Sequence, residues 1–179
     1  KHDNIYVADS WNHRVQKFDL LGNHIETFGS YGEGEGELNE PYDIMVEDCG
    51  NILVVERYNH RIQWFSPEGK SLGWIGQRGT VLEEHLAYLY ETSANLFSTP
   101  AFEFPTSIGT DSLGNYFITD SGNHRIAKFN KNWRRVLTFG ERGEETGQFQ
   151  YPLCVSIGRN DLLYVSDLNN NRIQIFSPF

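Results

Sequence analysis

Cysteine is almost absent from this chain. Two in 179 residues cannot form a disulfide framework, so packing and hydrogen bonding must hold the fold. Cys49 and Cys154 are expected to be free thiols, which leaves the redox compartment open. Long apolar runs are also missing: no stretch approaches the roughly 20 residues that a helix needs to cross a bilayer, so no membrane span is expected. Positive charge is scarce. Fifteen Lys and Arg face 24 Asp and Glu, for a formal charge of −9 and a pI near 5.1. Nucleic-acid binding leans on Lys and Arg to neutralise phosphates, so no nucleic-acid partner is expected. The one compact basic cluster, Lys128, Lys131, Arg134 and Arg135, reads as a solvated hairpin edge. The rest of the composition, 39% hydrophobic with mean hydropathy −0.51, is that of an acidic, soluble globular protein.

What the chain does have is repetition. Asn12-His13-Arg14 returns as Asn59-His60-Arg61, as Asn123-His124-Arg125 and as Asn170-Asn171-Arg172. His13 to His60 and His124 to Asn171 both span 47 positions, whereas His60 to His124 spans 64. Pro41, Pro105 and Pro152 keep the same two spacings. A fixed period of this length marks a repeat architecture with one insertion.

Each copy divides into short runs of β-branched and aromatic residues between Gly, Asn, Asp or Pro turns, as in Ile52-Leu-Val-Val55 and Ile62-Gln-Trp-Phe65. That pattern predicts a four-stranded antiparallel meander per copy. The second run of each copy is apolar at alternating and intervening positions alike, which predicts a strand buried on both faces of its sheet. Small sheets stacked face to face around an axis meet that demand, so the expected fold is an all-β propeller.

The run Asp-Ser-x-Asn-His-Arg-[Val/Ile]-x-Lys-Phe, preceded by a Gly-Asn turn and followed by Phe-Gly-x-x-Gly, resembles the NHL repeat. The resemblance spans essentially the whole chain. It implies NHL-type four-stranded blades, commonly six to a ring, of which this chain supplies an arc. Blades are placed at 1–38, 39–79, 103–149 and 150–179, with an inter-blade insertion at 80–102. Within it, Leu82, Leu86, Leu89 and Tyr90 are spaced as on a short amphipathic helix. The first copy opens at its second strand and the last stops after its third, so the chain is expected to be a segment of a longer protein.

Residues that recur in every copy are expected to build the copy. Asp9, Glu56, Asp120 and Asp167 each stand five positions before the Arg of their copy, so carboxylate and guanidinium should pair across the turn, with Asn capping it. A metal site from His13, His60 and His124 fails on geometry, because equivalent positions on different blades do not converge on one ion. No metal or other cofactor is expected. The loop Gly29-Ser-Tyr-Gly-Glu-Gly-Glu-Gly-Glu37 is no phosphate cradle either, since its glutamates would repel phosphate and no Lys-Ser/Thr ends it.

Function is sought where the copies differ. The position before the Asn of the triplet reads Trp11, Tyr58, Gly122 and Asn169, and an aromatic in a turn either packs on a neighbouring loop or meets a partner. Trp11, Arg57 and Tyr58, together with Leu86, Tyr90, Phe97 and Phe102 of the insertion, form the candidate partner-binding set. The residues after the blade prolines are the candidates for the mouth of the central channel: Asp43, Ser107 and Cys154. The resemblance implies that zinc-dependent lyases acting on precursors of amidated peptides carry channel histidines there. No copy here has one, and the three residues make no catalytic triad.

The expected function is a non-enzymatic scaffold that binds a protein partner, or the remainder of the same polypeptide, through its loop-rich face. The alternatives are a metal-dependent lyase- or hydrolase-like enzyme completed by blades outside these residues and, from tripartite-motif relatives, an RNA-binding domain. Export is frequent among prokaryotic proteins with such repeats, which inclines the localisation to extracytoplasmic. An open arc exposes apolar end faces, so this chain is expected to self-associate. A monodisperse, cooperatively unfolding monomer in sedimentation and melting experiments would contradict that.

Overall fold

The computed structural model describes residues 4–76 and 102–177. Apart from Phe102, the expected helical insertion at 80–102 lies outside them. The chain forms two compact units, Lys1–Glu91 and Thr92–Phe179, and each contains two antiparallel sheets. In the first, β1 (Asn4–Asp9), β2 (Arg14–Asp19) and β3 (His24–Phe28) make one sheet; β4 (Pro41–Val46), β5 (Ile52–Glu56), β6 (Arg61–Phe65) and β7 (Ser71–Gly76) make the other. In the second, β8 (Pro105–Thr110), β9 (Tyr116–Asp120), β10 (Arg125–Phe129) and β11 (Arg135–Phe139) precede β12 (Pro152–Ile157), β13 (Leu163–Asp167) and β14 (Arg172–Phe176). Every sheet is a meander, as the turn spacing predicts.

Both units bury their sheets against one another in the same way. Val15 and Phe28 of the first sheet meet Ile52, Val54 and Phe65 of the second, with Leu38 of the connecting loop between them. In the second unit Phe117 and Ile126 meet Val155, Leu163 and Val165, and Phe149 takes the place of Leu38. The expected two-sided burial of each second strand holds for β5 and β9, which are buried along their whole length. It fails for β1 and β13, where burial alternates. The reason is packing. Ile5 and Val7 are 44% and 41% exposed, whereas Ile52 and Val54, which have a sheet against them, are fully buried. Ile173 and Ile175 of β14 are likewise exposed.

The turn from second to third strand is a short 3₁₀ turn closed by a residue in the left-handed region: His13, His124 and Asn171 at φ of 53°, 55° and 51°. Asn and His tolerate that region better than most residues do, which explains why Asn171 can stand where the other copies have His. The recurrent carboxylate braces the turn. Glu56 accepts from Arg61 Nε at 2.5 Å, from Asn59 at 2.5 Å and from Gln63 at 3.0 Å, and Asp9, Asp120 and Asp167 each accept from the Nε of Arg14, Arg125 and Arg172. Glu56 is wholly buried. Burial pushes its carboxyl up, against the opposing pull of Arg61 and Asn59.

The far side of the guanidinium faces the loop that arrives from the preceding sheet. Arg61 donates to the carbonyls of Glu33, Gly34 and Glu37, and Arg172 to those of Glu144, Glu145 and Gln148. The Gly-rich linkers are therefore held by their backbones. Gly29 and Gly140 have φ of +89° and +94°, and a Cβ on either would lie within 2.4 Å of Leu38 or Phe149. A second tie joins neighbouring sheets: His13 Nδ1 accepts from Glu40 N and His124 Nδ1 from Tyr151 N, both at 3.1 Å. The basic cluster needs one correction. Lys128 does not belong to a solvated edge: it is 4% exposed, with its ammonium 5.1 Å from the Phe117 ring centroid.

Two outcomes are expected. Arg61→Met leaves Glu56 buried without its cation and frees three carbonyls, so it should cost about 3–5 kcal/mol in chemical denaturation; Arg14→Met, at a half-exposed pair, should cost a small fraction of that. For His124, burial first and then the charge of Arg142 hold the imidazole below its ordinary value of 6.5, against the pull of Asp167. The unfolded chain then binds more protons than the folded one, so stability is lost as pH falls from about 6.5 toward the lower folded-state value. His124→Asn should flatten that part of a thermal-melt pH series.

Candidate functional site

The sheets run so that all second-to-third-strand turns and all inter-sheet loops of a unit lie at one end. In the first unit this end carries the turns at 10–13 and 57–60, the loop 29–40 and the start of β4. Residues 39–42 knit it together. Ser10 Oγ donates to Pro41 O at 2.6 Å, while Arg57 N and Tyr58 N donate to Glu40 O and Asn39 O. The two turns thus abut the same short segment from either side, and their variable residues flank it.

Trp11 is 88% exposed and Tyr58 51%, so Trp11 is displayed and does not pack on a neighbouring loop. Arg57 lies between two tyrosines, its guanidinium carbon 5.5 Å from the Tyr42 ring centroid and 5.6 Å from that of Tyr58. It also pairs with Glu40 at 3.6 Å. Each ring contact is worth on the order of 0.5–1 kcal/mol at an exposed site, enough to hold Arg57 and both rings in one arrangement. Two further aromatics stand at this end, one of them, Tyr31, not singled out from sequence. Tyr42 is the residue that bulges out between Pro41 and Asp43 in the β4–β5 register, and Tyr31, 70% exposed, sets its ring edge-on to His13 at 4.7 Å. The signal for Tyr42 was its place after the blade proline; Tyr31 sat inside a loop that glycine and glutamate dominate.

The equivalent end of the second unit is built by the same bonds. Ser121 Oγ donates to Pro152 O, Leu168 N to Tyr151 O and Asn169 N to Gln150 O. Its side chains differ: Gly122, Leu153, Leu168 and Asn169 stand where the first unit has Trp11, Tyr42, Arg57 and Tyr58. Among the described residues, Tyr151 and Leu168 are the exposed large apolar groups there.

Of the other candidates, Leu86, Tyr90 and Phe97 lie outside the described residues. Phe102 is a correction. It is 4% exposed with its ring 6.0 Å from Phe129, so it covers the β8–β11 sheet and offers no surface to a partner. The structure brings Ser107 and Cys154 together, Oγ to Sγ at 3.6 Å, and Val155 N donates to Ser107 Oγ at 3.3 Å. Ser107 is 3% exposed, and its bonds stitch β8 to β12. Asp43 belongs to the first unit, where its carboxylate accepts from Ile44 N. Both cysteines are free and exposed. Among the described residues no three His, Cys, Asp or Glu side chains stand together as metal ligands, and no helix is long and apolar enough to cross a membrane.

Comparison with known proteins agrees with this architecture. The NHL repeat model matches residues 1–18, 102–129 and 149–176. It leaves the second copy unmatched, although that copy forms the same sheet and the same Glu56–Asn59–Arg61 network. Human NHL repeat-containing protein 3 is 27% identical over 177 residues, covering 92% of this chain and 44% of that protein. A probable peptidyl-alpha-hydroxyglycine alpha-amidating lyase of Caenorhabditis elegans is 32% identical over 85 residues, 45% of this chain and 24% of that protein. Among solved structures, the WD40 β-propeller domain of Doa1 superposes with a TM-score of 0.63 at 14% identity, covering 99% of this chain and 48% of that one. The chain thus spans less than half the length of these relatives. Its repeated turns, its meander sheets and these matches agree: the chain carries NHL repeats at residues 1–18, 102–129 and 149–176 and has a β-propeller-like fold.

Proposed function

We propose that this chain is a protein-interaction module that presents the turn end of its first unit to a partner. The observation that carries this reading is the contrast between two ends built by identical backbone bonds. One displays Trp11 and Tyr31 together with the Tyr42–Arg57–Tyr58 stack; the other has Gly122, Arg142, Leu153 and Asn169 at the corresponding places. The scaffold does not require the aromatics, since the second unit folds the same turns without them. Large amphipathic side chains already held in place lose little entropy on binding and recur as hot spots at interfaces. The partner is a separate protein or another part of the same polypeptide. In this reading the four sheets are blades at 1–38, 39–79, 103–149 and 150–179 of a larger ring, and the insertion that follows the second blade adds Leu86, Tyr90 and Phe97 to the contact.

A second reading rests on the similarity to the amidating lyase: an enzyme whose metal ligands lie outside the described residues. Elemental analysis of the purified protein separates the two, because a stoichiometric zinc or calcium would favour the enzyme. For the interaction reading, Trp11→Ala and Tyr58→Ala should each weaken capture of a partner by about tenfold or more and leave the thermal midpoint unchanged. Unchanged affinity in both variants would eliminate this surface.

A further inference from the structure

The residue before each blade proline stands in a backbone conformation that its neighbours oppose. Glu40, Phe104 and Tyr151 have φ of 52°, 47° and 54°, in the left-handed region that bulky side chains seldom enter. Each precedes a proline, Pro41, Pro105 and Pro152, whose ring drives the residue before it toward extended backbone. Such a conformation persists where surrounding bonds hold it. At Tyr151 one of those bonds comes from a titratable group: His124 Nδ1 accepts from Tyr151 N at 3.1 Å. His13 makes the same bond to Glu40 N in the first unit.

Tyr151 lies in the junction between the two sheets of the second unit. From the β9–β10 turn, Ser121 Oγ donates to Pro152 O. From the β13–β14 side, Leu168 N and Asn169 N donate to Tyr151 O and Gln150 O, and Asp167 accepts from Gln150 N at 2.7 Å. Around the half-buried imidazole stand Arg142 of the incoming loop, Asp167 at the end of β13 and the Tyr151 ring, edge-on at 4.7 Å. Within its own turn, Asp120 and Arg125 pair with each other at 2.7 Å. A neutral imidazole has one acceptor nitrogen, whereas in the protonated ring both nitrogens are donors. A proton on Nδ1 therefore sets N–H against N–H at Tyr151 and places a second positive charge near Arg142. The strained residue then loses the bond that restrains it.

We infer that His124 is a proton-operated latch: neutral, it holds Tyr151 left-handed and the 150–152 junction closed; protonated, it releases that junction while both sheets stay folded. Histidine is the side chain suited to such a change between about pH 5 and 8. Release can stay local because the sheets are joined independently by Phe117, Ile126, Phe149, Val155, Leu163 and Val165, and segments with few buried contacts open below the global unfolding free energy. The fourth copy has Asn171 where the third has His124, also left-handed at φ of 51°, so the turn itself does not demand an imidazole. This inference is independent of the interaction reading.

The test is a two-dimensional NMR titration of the intact, isotopically labelled chain from about pH 8 to about pH 5. As the His124 ring resonances titrate, the Tyr151 amide should shift in step. Hydrogen-exchange protection of the Leu168 and Asn169 amides, corrected for its intrinsic pH dependence, should fall by about tenfold or more, while Val155 and Val165 keep theirs. Arg142→Gln removes a neighbouring charge at an exposed side chain, so it should move the midpoint of all the responding probes upward together. His124→Asn should abolish the step; if that variant folds poorly, the wild-type and Arg142→Gln titrations decide. The inference is overturned if His124 does not titrate in this range, or titrates while Leu168 and Asn169 keep their protection. Loss of protection at Val155 and Val165 in the same step, or a junction midpoint that ignores Arg142→Gln, overturns it equally.

Discussion

The bond between a carboxylate and the Nε of an arginine five residues later closes a turn in each sheet, and at Arg61 and Arg172 the same guanidinium also holds the loop that arrives from the preceding sheet. At Glu56 and Arg61 this pair is almost wholly removed from water. An isolated charge in that place would be prohibitively costly, and one pair bond would not compensate for two desolvated ions. The site works because the remaining valences are filled. Asn59, Gln63 and the backbone of Asn39 satisfy the carboxylate, and three loop carbonyls satisfy the guanidinium. At Arg61 and at Arg172, closing a turn and anchoring an inter-sheet linker are therefore one event.

That dependence accounts for the variation among copies. Where a linker is seated on the guanidinium, a Gln two residues after the Arg completes the cradle: Gln63 takes Gly36 N and Glu37 O, and Gln174 takes Gly147 N and Gln148 O. The first sheet retains Gln16, whose amide donates to Asp9. The third copy has Ala127 at that place, and there Asp120 is satisfied by Asn123, Arg125 and the backbone of Glu103. The chain thus tolerates loss of the Gln but keeps carboxylate, Asn and Arg in every copy. The turn position before each Asn is the one that differs among the copies, and Trp11 and Tyr58 stand there.

Much of this was legible in the residues. The spacing of the Asn-His-Arg triplets implied repeated meanders, and the carboxylate five positions before each Arg implied the pair. Both are local regularities that a period exposes. The buried state of Phe102 was not legible, because an aromatic in an irregular segment looks the same whether it faces solvent or fills a sheet. Nor was the burial of Lys128, whose aliphatic stem and ammonium lie over Phe117. The exposure of β1 and β13 also escaped the pattern: Ile5 and Ile52 are the same residue type in equivalent strands, and only the presence of a packed sheet separates them.

By itself, then, the order of residues determined the unit of construction, the number of strands in each copy and the turn chemistry that closes them, because these depend on contacts within a few dozen positions. Tertiary structure decided which of those regularities became surface. The Tyr42–Arg57–Tyr58 stack joins a strand entrance to a turn on the next hairpin, and Tyr31 reaches His13 through a loop that Arg61 holds from another sheet. The first contact is set by the β4–β5 pairing inside one sheet and the second by packing between sheets, and periodicity along the chain encodes neither.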